Sequence, residues 1–293
     1  MTAHRSRDGA VLITGASTGI GAASAVHLDR IGFRVWAGVR RPSDGEALVG
    51  QASPRLTPVI LDVTDSNSIA TALAGVGAGA GADGLAGLVN NAGIVVAAPV
   101  EVLPIAELRK QLEVNVIGLV AVTQAALPLL RRGHGRVVNI GSISGRIATP
   151  VIGAYAASKF AVEALTDALR VEVQPWGIDV ALIEPGAVAT PIWEKSQAAG
   201  LALRQAWTPD AEGLYADALS AVERAALRSA KQAISPDAVA RAVAHALTAT
   251  RPKTRYLVGT AARIQAIVAL LPDRLRDRFL TRALGLPSPR AKR

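Results

Sequence analysis

The stretch TGASTGIG at residues 14–21 decides the fold, because its glycines stand between an apolar run and a helical pattern. The run at 10–14 is short, as in a buried strand, and Ala23, Val26 and Leu28 recur at helical spacing after it. Glycine lets the backbone turn sharply and approach a pyrophosphate, whose charge then meets a helix N-terminus. Alone, the run could be an ordinary turn. Its place after the first strand predicts a dinucleotide-binding loop made of Gly15, Ser17, Thr18, Gly19, Ile20 and Gly21.

Further short runs rich in apolar residues alternate with longer helical patterns. They lie at 34–39, 57–61, 87–90, 136–140, 179–183 and 254–258. Such alternation implies right-handed crossovers and a parallel sheet with helices on both faces. The runs lack period-two alternation, as expected of strands buried on both sides. We therefore predict an α/β fold, a Rossmann-type doubly wound parallel sheet of about seven strands.

Three local patterns refine this outline. Ser235, Pro236 and Asp237 combine a capping residue, a proline at the first helical position and an early acid, which predicts a helix running to about residue 249. The Gly/Ala tract at 76–84 predicts a pliable loop or a frayed helix end. The longest apolar run, 116–130, is interrupted and falls short of the roughly 18 residues that span a bilayer. It predicts a buried helix.

Length and composition limit the class of protein. A chain of 293 residues that is 50% hydrophobic can bury one large core, so we expect one domain over residues 1–260 with an extension at 261–293. The absence of cysteine excludes disulfides and thiolate chemistry, and no metal site is predicted. It also permits a reducing, cytoplasmic location. The charged first residues do not predict a secretory signal.

The net charge of +9 is concentrated in the C-terminal extension, where eight basic and two acidic residues give +6. With aromatic residues at 3%, nucleic acid is not expected as a partner. Apolar residues recur there at helical spacing: Ile264, Ile267, Val268, Leu271, Leu275, Phe279 and Leu280. Three alternatives stay open for this basic amphipathic segment: docking on its own domain or a neighbouring subunit, peripheral contact with an anionic membrane, or disorder.

Two positions after the second and third strands bear on the choice of dinucleotide. Arg40 stands at the position that meets the adenosine ribose of the cofactor. An acidic residue there would bind the ribose 2′-hydroxyl of NAD(H), whereas an arginine would bind the 2′-phosphate of NADP(H). Arg40, with Arg41 beside it, therefore favours NADP(H) over NAD(H). Asp62 and Val63 suit an adenine edge, through a carboxylate acceptor and a backbone donor. The alternatives are solvated loop charges at Arg40 and Arg41, and a helix cap at Asp62.

A tyrosine and a lysine four residues apart carry the predicted chemistry. Tyr155 and Lys159 share one helical face, and an ammonium beside a phenol lowers the pKa of that phenol. Ser142, just after a strand, is placed to hold a substrate oxygen. A tyrosine and lysine at this spacing are common in helices. Only together with the glycine loop do they predict hydride transfer between a nicotinamide and a carbonyl or alcohol.

Taken together, these motifs resemble the short-chain dehydrogenase/reductase family in its compact single-domain branch, with a likeness to retinol- and steroid-active members. The resemblance covers about 10–259 and rests on the following: residues 14–21, Asp62, Asn90, Asn91, Ala92, Gly93, Asn115, Ser142, Tyr155, Lys159, Pro185 and Gly186. Gly141 departs from the pattern, since many members have a serine there.

The resemblance implies roles for these residues. Tyr155 is the general acid or base, Ser142 orients the substrate oxygen, and Lys159 lowers the pKa of Tyr155 and binds the nicotinamide ribose. Asn115 would hold a water that links Lys159 to solvent, or else it pins a helix as a buried asparagine. Further cofactor contacts are implied for Asn91, Ala92, Gly93, Pro185, Gly186, Val188 and Thr190.

Substrate recognition is expected in a lid at 191–234, with Trp193 as the named contact besides Ser142 and Tyr155. Other apolar or aromatic residues of this lid are Ile192, Leu201, Leu203, Trp207, Leu214 and Tyr215. They predict a small, apolar substrate, or alternatively a subunit interface. The family likeness implies a homodimer or homotetramer built on helices at 108–130 and 155–174. A regulator without turnover and an epimerase or dehydratase remain as alternative functions.

Overall fold

The computed structural model describes residues 8–286. All seven predicted strands are present: β1 Ala10–Ile13, β2 Arg34–Val39, β3 Leu56–Ile60, β4 Leu85–Asn90, β5 Arg136–Ile140, β6 Asp179–Pro185 and β7 Arg255–Val258. They form one parallel sheet in the order β3-β2-β1-β4-β5-β6-β7. The order reverses between β1 and β4, which is the switch point of a doubly wound sheet. The predicted Rossmann-type fold is confirmed.

Helices connect the strands and cover both faces of the sheet. Within residues 8–286 they are α1 Gly19–Arg30, α2 Pro42–Val49, α3 Ser66–Ala80, α4 Ile105–Leu112, α5 Gly118–Arg132, α6 Gly153–Glu172, α7 Ile192–Arg204, α8 Pro209–Lys231, α9 Pro236–Thr248, α10 Thr260–Val268 and α11 Asp273–Leu284. Along β1, Val11 and Ile13 pack towards α1 and α9, while Ala10 and Leu12 pack towards α3 and α5. The central strands are therefore apolar on both sides, as their sequence predicts.

Helix α9 begins as its sequence predicts, because the Ser235 hydroxyl accepts a hydrogen bond from the Asp237 amide (3.1 Å). The loop alternative for 76–84 is wrong over 76–80, although the tract does contain the end of a helix. Helix α3 continues to Ala80, since Val76 and Ala80 are buried against the sheet. Gly79 packs directly under the Trp36 indole, where a Cβ would overlap the ring.

The predicted buried helix at 116–130 corresponds to α5, which follows a π-helical turn at Glu113–Ile117. By length and composition the continuous helical stretch Ile105–Arg132 could also cross a membrane. Val122, Ala126 and Leu130 on one face are fully buried among core residues of the sheet. We therefore assign α5 to the core.

The C-terminal extension forms α10 and α11, so the disordered alternative is wrong over 260–284. Helix α10 packs on the domain through Ala262, Ala266 and Val268. Of the apolar residues expected to dock, Ile264 and Ile267 are exposed instead, because the small alanines form the contact. Arg290, Lys292 and Arg293 lie outside the described residues. The division at residue 260 stays a prediction.

Candidate active site

A cleft of about 730 Å³ opens at the carboxyl ends of the strands, at the switch point between β1 and β4. Almost all residues predicted to bind cofactor or to act in catalysis line it: Gly15, Ser17, Thr18, Gly19, Ile20, Arg40, Asp62, Val63, Asn91, Ala92, Gly93, Asn115, Ser142, Tyr155, Lys159, Pro185, Gly186, Val188 and Thr190. The parallel sheet brings these residues together, although they span 176 positions in the sequence.

The glycine loop is shaped for a ligand that approaches its backbone. Gly15 has φ +62°, and a Cβ there would lie 2.8 Å from the Ala92 Cα. Gly21 does not line the cleft, because it packs behind the loop, where a Cβ would overlap the Gly15 carbonyl oxygen. Its role is therefore close packing of α1 rather than ligand contact. The open N-terminus of α1 fits a dinucleotide pyrophosphate.

The end of β4 holds this loop in place. The Thr14 hydroxyl accepts hydrogen bonds from the backbone amides of Asn91 (3.0 Å) and Ala92 (2.9 Å). In return, the Asn91 side-chain amide donates to the carbonyls of Thr14 (3.0 Å) and Gly15 (2.9 Å). Asn91 thus fixes the shape of the loop besides lining the cleft.

Two arginines after β2 have different surroundings. Arg40 lines the cleft, whereas Arg41 forms a bidentate ion pair with Asp44 (3.2 and 3.1 Å) on the surface. Arg40 therefore has its charge available to a ligand, while Arg41 is engaged by its own helix. The Asp62 carboxylate accepts from the amide (2.9 Å) and hydroxyl (2.7 Å) of Thr64.

Asp62 does not cap the following helix, because Asp65 accepts the capping hydrogen bond from the Asn67 amide (2.9 Å). The hydrogen bond from the Thr64 backbone holds the pKa of Asp62 below its usual range, with smaller contributions from the Thr64 hydroxyl and the charge of Arg40. The carboxylate is therefore ionised at neutral pH and can accept from an adenine amine.

The three catalytic candidates form one wall of the cleft. Tyr155 and Lys159 lie in α6, both less than a tenth exposed, and Ser142 follows β5 through Gly141. The Lys159 Nζ donates to the Ile140 carbonyl (2.8 Å) and lies 5.7 Å from the centre of the Tyr155 ring. The Ser142 hydroxyl accepts from the Ser144 amide (3.1 Å), which caps the short turn Ile143–Gly145.

The pKa of Tyr155 differs from the sequence expectation. Burial raises the pKa of this phenol, and the opposing influence is a hydrogen bond with Ser142 rather than the charge of Lys159. Lys159 does not lower the pKa of Tyr155 here because its ammonium is directed to the Ile140 carbonyl instead of the phenol oxygen. Burial also lowers the pKa of Lys159 to about 8, because the ammonium loses solvation.

Asn115 lies in the π-helical turn before α5, and both polar atoms of its side chain make hydrogen bonds. Its Oδ1 accepts from the Ile94 amide (2.9 Å), while its Nδ2 donates to the Ile94 carbonyl (3.1 Å) and the Ser158 hydroxyl (3.1 Å). These contacts match the helix-pinning alternative. Gln111, which the sequence did not single out, extends them by bonding Val96 (2.7 Å) and Ile94 (2.9 Å).

The predicted lid residues do not all face the cleft. Trp193 and Ile192 line it, while Leu201 and Leu214 are exposed. Trp207 and Tyr215 pack edge to face on each other, with ring centres 6.5 Å apart. Tyr215 also donates a hydrogen bond to Glu101 (2.5 Å), which ties α8 to the segment before α4.

Sequence reasoning missed a charged cluster directly beneath the catalytic wall. Arg146, Glu163, Glu184 and Arg255 form ion pairs there. Glu184 is fully buried. A signal was available, because Glu184 is a charged residue within a strand that is otherwise apolar after Asp179.

Comparison with known proteins agrees with this geometry. A family model described as short chain dehydrogenase matches residues 9–200. Retinol dehydrogenase 5 of Mus musculus is 38% identical over 289 residues, which are 96% of this chain and 90% of the relative. The human 17-beta-hydroxysteroid dehydrogenase type 6 is 38% identical over 291 residues, again 96% and 90%. The chain therefore belongs to the short-chain dehydrogenase/reductase family.

The descriptions of two further similar proteins mention a nicotinamide cofactor. The NADPH-dependent 3-dehydrocapnine reductase of Ornithobacterium rhinotracheale is 34% identical over 279 residues, covering 93% of this chain and 96% of the relative. A short chain dehydrogenase from Burkholderia cenocepacia J2315, solved in complex with NADP, superposes with a TM-score of 0.70 at 26% identity. The match covers 96% of this chain and 98% of that one. The expected likeness to retinol- and steroid-type members is confirmed, and the chain is an oxidoreductase of alcohols and ketones.

Proposed function

We propose that this protein is an NADP(H)-dependent oxidoreductase that interconverts a carbonyl and an alcohol on a small apolar substrate, with Tyr155 as general acid or base. The observation that carries the proposal is the joint lining of one cleft by the glycine loop, Arg40, Ser142, Tyr155 and Lys159. The loop and Arg40 suit the two phosphate-bearing parts of NADP(H). The reduced nicotinamide, when bound, supplies the hydride.

The mechanism assigns one task to each side chain. In reduction, the Ser142 hydroxyl donates to the substrate oxygen and stabilises its developing charge, while the Tyr155 hydroxyl transfers its proton to that oxygen. The raised pKa of Tyr155 keeps this proton on the phenol at neutral pH. In oxidation, Tyr155 must accept a proton, and Lys159 stabilises the resulting phenolate by its charge. Asn115 completes the wall by holding the segment at Ile94 or by orienting a water towards Lys159.

The choice of cofactor rests on Arg40, which lines the cleft, whereas Arg41 is paired with Asp44 on the surface. A guanidinium there favours the 2′-phosphate of NADP(H), and two relatives bearing NADP or NADPH in their names support this choice. NAD(H) dependence within the same family is the alternative. A cofactor-binding relative without turnover is a further alternative.

An apolar substrate is supported by the lining of the cleft and by the relatives. Val95, Val96, Ile192 and Trp193 line the cleft with apolar surface. Two of the relatives are named for retinol and hydroxysteroids, which are apolar alcohols. We therefore propose a hydrophobic primary or secondary alcohol, or the matching aldehyde or ketone.

A peripheral membrane location is supported by the exposed face of the extension. Ile264, Ile267, Leu270 and Phe279 are all at least 46% exposed, with Leu270 at 82%. Arg263, Arg274, Arg276, Arg278 and Arg282 lie among them in the sequence. Exposed apolar side chains flanked by arginines match an anionic lipid surface. We propose a cytoplasmic protein that binds such a surface reversibly.

Self-association is the other proposed contact. Ile117, Phe160 and Val171 are exposed on the long helical stretches at 108–130 and 155–174, where the family likeness implies a homodimer or homotetramer. Sedimentation velocity should give at least a dimer. A monomer at micromolar concentration would remove the proposal.

The role of Tyr155 predicts a separation of binding from turnover. Tyr155→Phe keeps the buried ring and removes only the hydroxyl, so it should lower kcat by at least about 100-fold through loss of general acid catalysis. NADPH binding, followed by quenching of tryptophan fluorescence, should change little. Tyr256→Phe, which removes a hydroxyl outside the lining of the cleft, serves as the control. Turnover retained in Tyr155→Phe would exclude this mechanism, and a wild-type enzyme without NADPH oxidation on a panel of ketones and aldehydes would favour the non-catalytic alternative.

The role of Arg40 predicts a cofactor-specific effect. Arg40→Asp should raise KM for NADPH by roughly 10- to 100-fold, because a charge-assisted hydrogen bond is replaced by repulsion of the phosphate. KM for NADH should stay level or fall. Arg41→Asp should change neither, since Arg41 is paired with Asp44 and lies outside the cleft. Equal effects of Arg40→Asp on both cofactors would contradict the assignment.

The membrane proposal predicts lipid-dependent flotation. The protein should float with vesicles that contain phosphatidylserine and remain unbound with pure phosphatidylcholine vesicles or at high salt. Ile267→Glu should abolish flotation, because a carboxylate would enter the acyl boundary. Val49→Glu, at another exposed apolar residue, on α2, should have no effect. Flotation that is insensitive to Ile267→Glu would show that another surface binds the lipid.

A further inference from the structure

Three catalytic segments meet over the charged cluster beneath the cleft. Glu163 lies on α6, one turn after Lys159 and two turns after Tyr155. Glu184 is the residue of β6 directly before the Pro185-Gly186 loop, and Arg146 ends the turn that Ser142 caps. The cluster therefore takes its residues from the segments that carry Ser142, Tyr155 and Lys159, and from the strand that leads to Pro185.

The contacts within the cluster leave one carboxyl oxygen without a donor. Arg146 donates to both oxygens of Glu184, with 3.0 Å to Oε2. The Nε and Nη2 of Arg255 both donate to Oε2 of Glu163 (3.2 and 2.9 Å), and Nη2 also donates to Asp167 (2.7 Å). Among residues 8–286, no group donates to the buried Oε1 of Glu163, although that carboxyl lies against the carboxyl of Glu184.

Packing forces the two carboxyl groups together. Glu184 is completely buried, and the Glu163 side chain is only 13% exposed. The turn after Ser142 closes over them without a side chain, since a Cβ at Gly145 would lie 3.0 Å from the Glu163 Cγ and 3.2 Å from its Oε1. Two ionised carboxylates only accept hydrogen bonds, so neither can satisfy the other unless one of them carries a proton.

We propose that Glu163 and Glu184 share one proton at neutral pH, and that the resulting carboxyl–carboxylate hydrogen bond positions the Tyr155 helix against the Ser142 and Pro185 loops. The positioning role rests on the proposed function; the shared proton does not. Both residues are positioning residues, because neither lines the cleft.

Electrostatics supports the shared proton. The pKa of Glu163 is raised to about 7, chiefly by burial and then by the neighbouring carboxyl of Glu184, while the hydrogen bond and charge of Arg255 oppose the rise. Other charged residues surround the pair. Arg146 donates to Glu184, Asp167 accepts from Arg255 (2.7 Å), and Arg170 forms an ion pair with Asp167 (2.7 Å). On the side of the catalytic wall, Lys159 is the charged residue nearest to Glu163 along α6. The pKa of Asp167 is lowered, chiefly by its hydrogen bond from Arg255, so Asp167 is fully ionised where Glu163 titrates.

The sign of the stability effect follows from this raised pKa. Between the unfolded pKa of a glutamate, about 4.3, and the folded pKa of about 7, the folded state holds more protons than the unfolded state. The contribution of Glu163 to stability is therefore full below that range and is lost as the pH rises through the folded pKa. Glutamine at position 163 keeps a donor to Glu184 and does not titrate.

The test measures melting temperature across pH for the full-length protein and two variants. From about pH 5 to about pH 8, the melting temperature of Glu163→Gln minus that of wild type should rise by roughly 5 °C. The matched control is Asp167→Asn, which is on the same helix and pairs with the same Arg255. The melting temperature of Asp167→Asn minus that of wild type should stay constant over this pH range. A constant or falling difference for Glu163→Gln would overturn the shared proton.

Infrared spectroscopy provides a measurement that needs no variant or substrate. The wild type should show a protonated carboxyl stretch that disappears as the pH rises through about 7. Glu163→Gln should lack this band. If Glu163→Gln does not fold, the wild-type titration decides alone, and the absence of a carboxyl band at about pH 6 would overturn the proposal.

Turnover separates the positioning role from the proposed chemistry. At neutral pH, kcat of Glu163→Gln should stay within about twofold of wild type, whereas Glu163→Ala should lose at least about tenfold in kcat with little change in KM for NADPH. Above neutral pH, Glu163→Gln should retain more activity than wild type. Identical pH profiles would overturn the positioning role. If no carbonyl substrate is turned over at all, the proposed function fails, while the melting and infrared results still decide the shared proton.

Discussion

Parallel pairing is the constraint on which the rest of this structure depends. Because all seven strands run in one direction, their carboxyl ends lie along one edge of the sheet, and the loops diverge where the order reverses between β1 and β4. That divergence opens the cleft, and it brings the glycine loop, Arg40 and the catalytic wall around one volume. The hydrogen bonds between Thr14 and the end of β4 then fix the loop next to the switch point.

Charged side chains are buried beneath the catalytic wall. In the wall itself, burial raises the pKa of Tyr155 and lowers that of Lys159 to about 8. Both shifts favour neutral side chains, so a proton on the phenol is retained for transfer. The ion pairs of Arg146 with Glu184 and of Arg255 with Glu163 stabilise buried carboxyl groups that would otherwise be strongly unfavourable.

Much of this arrangement is predictable from the sequence, because it rests on local signals and on topology. The strands follow from short apolar runs, and the site residues follow from motifs placed at strand ends. The helix at 76–80 was missed because its propensity is weak, and tertiary burial of Val76 and Ala80 decides its conformation. The engagement of Arg41 by Asp44 and of Lys159 by the Ile140 carbonyl depends on side-chain directions that motif spacing does not encode. The exposed face of α10 follows from contacts made by alanines instead of the larger residues.

The central claim is that the cleft transfers a hydride between a nicotinamide and a carbonyl carbon. It is tested most directly by following the label from NADPH that carries deuterium at the nicotinamide C4, prepared separately for each face of the ring. With an apolar ketone or aldehyde that supports turnover, one of the two preparations should deliver deuterium to the carbinol carbon of the product, and the other should deliver none. Products from both preparations without deuterium at that carbon would contradict the account.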